Sequence, residues 1–111
     1  MSITVREYLD PTGRSPYARW FDDLNAPAAA KVATALYRLE LSNFSNVKGV
    51  GGGVYECKVD FGPGYRIYFG KDGESLIILL GGSTKKDQQA SIHAAKNAWA
   101  TYKRSGPRPV H

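Results

Sequence analysis

Apolar and polar positions alternate first between Ile3 and Leu9, where Ile3 and Val5 face away from Thr4, Arg6 and Tyr8. This period of two predicts an opening strand. Asp10-Pro11-Thr12-Gly13 has turn chemistry and ends it. Ser15-Pro16 then reads as a helix start, with Ser as N-cap and Pro at the first helical position. Tyr17, Trp20, Phe21 and Leu24 follow at i, i+3, i+4 and i+7, so a short helix is predicted with an aromatic core stripe. Asn25-Ala26-Pro27 breaks and restarts the chain. A second helix is predicted from Ala28 to Leu41, turning Val32, Ala35, Leu36 and Leu39 inward. Two helices joined by a few residues make a helical hairpin, which Ser42-Asn43 closes.

Beyond it the period returns to two. Asn46 to Val50 reads as a short strand or an extended loop, and Gly51-Gly52-Gly53 as a flexible break. Val54 to Phe69 reads as two strands around Gly62-Pro63-Gly64. One face of this hairpin is apolar, with Tyr55, Cys57, Val59, Phe61, Tyr65, Ile67 and Phe69. The other carries Glu56, Lys58, Asp60, Arg66 and Tyr68. A loop limited to Gly62-Pro63-Gly64 sets Asp60 opposite Arg66 and Lys58 opposite Tyr68. Lys71-Asp72-Gly73-Glu74 turns into a buried strand, Ser75 to Leu80, which Gly81-Gly82 is expected to end. Thr84 starts a third helix with Asp87 as an approximate capping box, and Ile92, Ala95, Trp99 and Tyr102 form its buried stripe. The order predicts an α+β domain: an N-terminal strand and helical hairpin, an antiparallel sheet of three to four strands, and a C-terminal helix. One sheet face is expected under the helices and the other at least partly open. The domain is placed at 1–104 and a disordered tail at 105–111, which holds two Pro and one Gly.

Composition narrows the class. With 42% hydrophobic residues in 111, the chain is not disordered by composition. The single Cys57 makes no internal disulfide and reads as a small buried hydrophobe. No apolar run approaches the ~20 residues of a membrane span, and the start lacks a signal-peptide apolar region, so a cytoplasmic protein is expected. Fifteen Lys and Arg against ten acids give a net charge of +5, which favours a polyanionic partner such as nucleic acid or an acidic protein.

Where the charge sits matters more than its sum. The polar hairpin face is either a solvated surface with cross-strand ion pairs or a site. Lys85 and Lys86 fall in the first turn of the third helix, where the helix dipole disfavours cations, and a local rule broken there points to function. Lys86, Gln89 and His93 share one stripe of that helix. Lys58, Arg66, Lys85 and Lys86 together suit a phosphodiester, with Arg stabilising charge on the non-bridging oxygens. Crowded lysines favour one another's neutral amine, which lets one move a proton, and Glu56 or Tyr68 are further proton carriers. Glycines 51–53 lack the Lys-Ser/Thr of a phosphate loop. No His, Asp, Glu or Cys set has metal-ligand spacing, which leaves metal-free RNA chemistry through the neighbouring 2′-hydroxyl.

Four stretches carry a resemblance: Arg14-Ser15-Pro16-Tyr17 with Trp20-Phe21; Asn43 to Lys48; Gly53 to Glu56 through Phe61-Gly62-Pro63-Gly64-Tyr65-Arg66 to Phe69; and Leu79 to Gly82 followed by Thr84-Lys85-Lys86. In this order they resemble the RelE/ParE toxin superfamily, in particular its HigB-like, phage-derived branch of addiction module killer proteins. The resemblance implies a RelE-like fold. It implies a type II toxin that needs no cofactor, paired with an antitoxin encoded beside it and often of helix-turn-helix type. RelE- and HigB-like members are ribosome-dependent mRNA endonucleases that arrest translation; ParE-like members poison DNA gyrase without enzymatic activity. A third alternative is an inactive relative that only binds its antitoxin. Arg66 matches the hairpin Arg, Lys58 a basic strand position more often Arg, and Lys85 and Lys86 the basic pair after the last strand. Glu56 and Tyr68 are secondary catalytic candidates, and Lys48, Gln89 and His93 are candidates for binding substrate. Asp87 stands where relatives often have a basic residue, and no clear His acid completes the set.

Overall fold

The computed structural model describes residues 2–105. Its elements run β1 (Thr4–Glu7), α1 (Pro16–Asp22), α2 (Ala26–Glu40), β2 (Val47–Gly51), β3 (Val54–Val59), β4 (Tyr65–Lys71), β5 (Leu76–Thr84), a 3-10 turn (Lys85–Asp87) and α3 (Gln88–Arg104). Of the expected tail only Ser105 lies among the described residues; its N–H and Oγ both donate to the Thr101 carbonyl and close α3. Among the described residues no helix is long and apolar enough to cross a membrane.

Local chemistry explains the helix starts. Ser15 Oγ accepts the Ala18 N–H at 3.0 Å and Asn25 Oδ1 accepts the Ala28 N–H at 2.9 Å. Pro16 and Pro27 sit in the first turns, where a missing N–H costs nothing. With Asn25 as its cap, α2 begins at Ala26, ahead of the expected Ala28.

The strands form one mixed sheet of five, in the order β1-β5-β4-β3-β2. β2 to β5 form the expected antiparallel run, at four strands, and β1 joins it as a fifth strand parallel to β5. After α2 the chain enters at the far edge and returns by antiparallel steps, which leaves β5 running parallel to β1. Asn46 to Val50 resolves as strand β2, and glycines 51–53, expected as a flexible break, form a tight turn to β3 with positive φ at each.

The β3–β4 pairing is offset by two residues from expectation. Lys58 faces Arg66 and Glu56 faces Tyr68, because the loop takes in residues 60–64 rather than three. An even offset keeps every side chain on its expected face, while Asp60 moves into the loop.

Helices pack on both faces of the sheet; the face expected to be at least partly open carries α3, while Lys48 and Lys58 on it stay exposed. Tyr17 of α1 and Val32 and Leu39 of α2 pack with Cys57, Val59, Ile67, Phe69, Ile77 and Leu79. On the opposite face Ala95 and Trp99 of α3 pack with Tyr8, Val54, Tyr68, Ile78 and Leu80. The unbroken run Leu76 to Leu80 has no polar side to leave in water, so a strand made of it needs cover above and below.

Gly81-Gly82 does not end β5. The Trp20 indole lies directly on Gly82, where any Cβ would collide with the ring, and Trp99 lies on Gly70 in the same way. Glycine serves close approach here rather than chain termination. Since Thr84 still pairs with Tyr65, and the Lys85 N–H donates to the Gly64 carbonyl at 3.0 Å, the helix expected at Thr84 starts only at Gln88. Lys85 and Lys86 therefore occupy the 3-10 turn, not the first helical turn, and Asp87 makes no side-chain cap hydrogen bond.

Candidate functional site

Strand register builds the polar cluster in two rows on the α3 side of the sheet. One row is Lys48, Glu56, Tyr68 and Gly81, and the next is Lys58, Arg66 and Ser83. The second row ends beside the loop that precedes β4, where Arg66 Nη1 and Lys85 Cβ both flank Gly64. Two long-range contacts, strand to strand and loop to turn, thus bring Lys58, Arg66 and Lys85 to one end of the sheet.

Glu56 is the hub. Its Oε2 lies 3.5 Å from Arg66 Nε and 3.8 Å from Lys48 Nζ, and its Oε1 accepts a 2.6 Å hydrogen bond from Gln88 Nε2. Glu56 is 2% exposed and Arg66 6% exposed, so this pair is sealed under the start of α3. Arg66 Nη1 donates to the Tyr65 carbonyl at 3.2 Å, while its buried Nε has no hydrogen bond. A buried guanidinium with an unmet donor is held by charge and enclosure more than by directed bonds. Lys48, Lys58, Lys85 and Lys86 are exposed around it. The cluster can hold an anion at its rim, with Arg66 as the charge beneath.

Tyr68 is fully buried, and its hydroxyl meets Ser83 Oγ at 3.0 Å. Burial pushes the phenol above its ordinary value, only partly offset by the Ser83 hydrogen bond. It keeps its proton and supports Ser83 from below. Gln89 and His93 are exposed on α3 and make no hydrogen bond or ion pair with the cluster among the described residues. Lys86 is exposed with no such contact either. Sequence reasoning missed Gln88 and Ser83. Plain alternation would put Ser83 on the face of Ile77 and Leu79, but the register shift opposite Tyr68 and Phe69 adds a residue and turns it to Arg66, and a helix beginning at Gln88 instead of Thr84 turns Gln88 to Glu56. Among the described residues no three His, Cys, Asp or Glu side chains gather as a metal site.

No family model matches the chain. It is 38% identical over 78 residues to an uncharacterized protein of Haemophilus influenzae, an alignment covering 69% of this chain and 79% of that protein. The chain belongs to that protein's family.

Proposed function

We propose that this member of the family is the toxin of a type II toxin–antitoxin system, with a RelE-like, HigB-type fold, and that it cuts mRNA on the ribosome without metal or cofactor. The observation that carries the reading is the cation row Lys58–Arg66 beside Lys85, on the strands that bear the Tyr-Glu and Phe-Gly-Pro-Gly-Tyr-Arg segments. In the proposed step a ribose 2′-oxygen attacks the adjacent phosphorus. The 2′-O–P bond forms, the P–O5′ bond breaks, one proton leaves the 2′-hydroxyl and one reaches the 5′-oxygen. Lys58 and Lys85 bind non-bridging oxygens, and Arg66 stabilises the charge of the pentavalent phosphate. Glu56 holds the place of an anion on Arg66 in the resting protein, and the phosphate replaces it. The displaced carboxylate is then the candidate proton acceptor. The toxin acts in the cytoplasm, and its partners are mRNA on the ribosome and an antitoxin of helix-turn-helix type encoded beside it.

The enclosure of Arg66 favours a second reading, in which the Glu56 pair is structural and the protein poisons gyrase or another protein target without cutting RNA. One experiment separates them. Wild type and Arg66→Lys are induced in a bacterial host without antitoxin, and mRNA 5′ ends are mapped against reading frame. New ends at fixed codon positions, lost in the variant, support the nuclease. Growth arrest over intact mRNA sinks it and moves the reading to a protein target.

A further inference from the structure

A second concave site lies on the opposite side of the sheet, between α2 and the end of β3. It encloses about 330 Å³. Lys31, Thr34, Ala35 and Arg38 line it from α2 at i, i+3, i+4 and i+7, a single stripe of that helix. Cys57 and Val59 line it from β3. Asn43, Asn46 and Phe61 complete the wall.

The charges in this cavity are unspent. Lys31 and Arg38 have no ion-pair partner among the described residues, where the two ion pairs both go to Glu56. Asp60 is the single carboxylate among the lining residues. Two cations on one helical stripe reinforce one another's potential and favour a multiply charged anion. Lys31 Nζ already lies 5.6 Å from the centre of the Phe61 ring, so an aromatic face and a cation meet at the wall. Asn43 Oδ1 accepts from both the N–H and the Oγ of Ser45, which leaves its amide nitrogen to donate. The space is at the small end of the range for ligand pockets, too large for a bare carboxylate and sufficient for one nucleotide.

We propose that this cavity binds a nucleotide, with Lys31 and Arg38 on the phosphate and Phe61 with the Asn43 and Asn46 amides on the base. The nucleotide comes either free or as one unit of a single RNA strand. Aromatic stacking beside a cationic backbone track is how single strands are held without strong sequence preference. Lys58 borders the cavity but turns its side chain to the Arg66 row on the other face, so the proposal stands on binding alone and does not depend on Arg66 cutting anything.

Calorimetric titration tests it. The probes are uridine and adenosine 5′-monophosphates, inorganic phosphate, a triglutamate peptide and a 2′-O-methylated tetraribonucleotide. The proteins are wild type, Lys31→Ala, Arg38→Ala and, as a control for lost charge, Lys103→Ala. Lys31 and Arg38 are exposed on α2, so their truncation leaves the core intact. The expected result is saturable nucleotide binding, at least tenfold weaker in Lys31→Ala and Arg38→Ala and unchanged in Lys103→Ala. Phosphate and triglutamate bind at least tenfold more weakly than the monophosphates. A tetranucleotide that binds more tightly than the monophosphates identifies a strand unit; equal affinity identifies a free nucleotide. Absence of saturation, equal loss in Lys103→Ala, or triglutamate binding as tight as nucleotide overturns the proposal. Since no cleavage is read, a failed nuclease assay leaves this result standing.

Discussion

Arg66 holds its Nε 3.5 Å from Oε2 of Glu56, and neither side chain reaches far into water. Removing one partner strands the other charge in a desolvated site. Glu56→Ala and Arg66→Ala are each expected to lower unfolding free energy by about 3–5 kcal/mol, measured by urea denaturation. Replacing both at once, Glu56→Leu with Arg66→Met, is expected to recover most of that loss, since apolar pairs of similar volume replace buried ion pairs well. The double variant is then a folded test of function: restored stability with no RNA cleavage assigns the pair to chemistry, whereas retained cleavage removes Arg66 from the mechanism.

Neighbouring glutamines on α3 are expected to behave differently. Gln88 donates to a buried carboxylate, and a hydrogen bond to a charged group contributes about 1.5–3 kcal/mol. Gln88→Ala is expected to cost that much. Gln89→Ala is expected to stay within about 0.5 kcal/mol, as an exposed site away from such features does. Parallel denaturant melts check the contrast, and equal costs would mean that the Glu56 contact contributes nothing.

Two glycines carry tryptophan rings. Gly82→Ala drives a methyl group into Trp20 and Gly70→Ala drives one into Trp99. Overpacking of this kind costs about 1–3 kcal/mol, and here the obstacle is a rigid ring. Thermal unfolding should show both variants losing several degrees of Tm. Shrinking the partner is expected to relieve the clash, so Gly82→Ala should lower Tm less in a Trp20→Leu background than in the wild type.

The Cys57 thiol gives a pH signature. Burial pushes it up from 9.0 to about 11, against a smaller downward pull from Arg38. The folded state therefore holds the proton that the unfolded chain releases first. The resulting stabilisation is complete below pH 9 and is lost as pH rises through about 11. At pH 8 the native thiol is expected to react with a disulfide reagent far more slowly than in 6 M guanidinium. Equal rates would place Cys57 on an accessible surface.

Much of the fold was legible because its signals are local. The Ser15-Pro16 start, the inward stripe of α2 and the two faces of the hairpin follow from capping and period alone. The misreadings share a cause: each needed a tertiary partner. Gly82 reads as a breaker until Trp20 is laid on it. The α3 side of the sheet reads as open until Trp99 covers Gly70, although the apolar run through Leu80 already carried that information. The hairpin pairs missed by two residues because the Pro63 loop is longer than its glycines suggest. The cation set was legible as a set. Its closure by Glu56 and Gln88 was not, since Gln88 faces the sheet only when the helix starts four residues later than Thr84 would have it.

The pairing of Thr4 with Leu76 sets a timetable for the molecule. Of the five strands, the earliest in sequence lies at a sheet edge beside the latest, and Ile3 N–H and Thr4 N–H find their carbonyls on Glu40 and Ser75. Contacts this distant along the chain close slowly, after the local hairpins have formed. Gln88, which caps the buried Glu56, arrives later still. A nascent copy thus pairs Lys58 with Arg66 early, on the local hairpin, while Lys85 and the Gln88 contact to Glu56 join only after β5 has emerged.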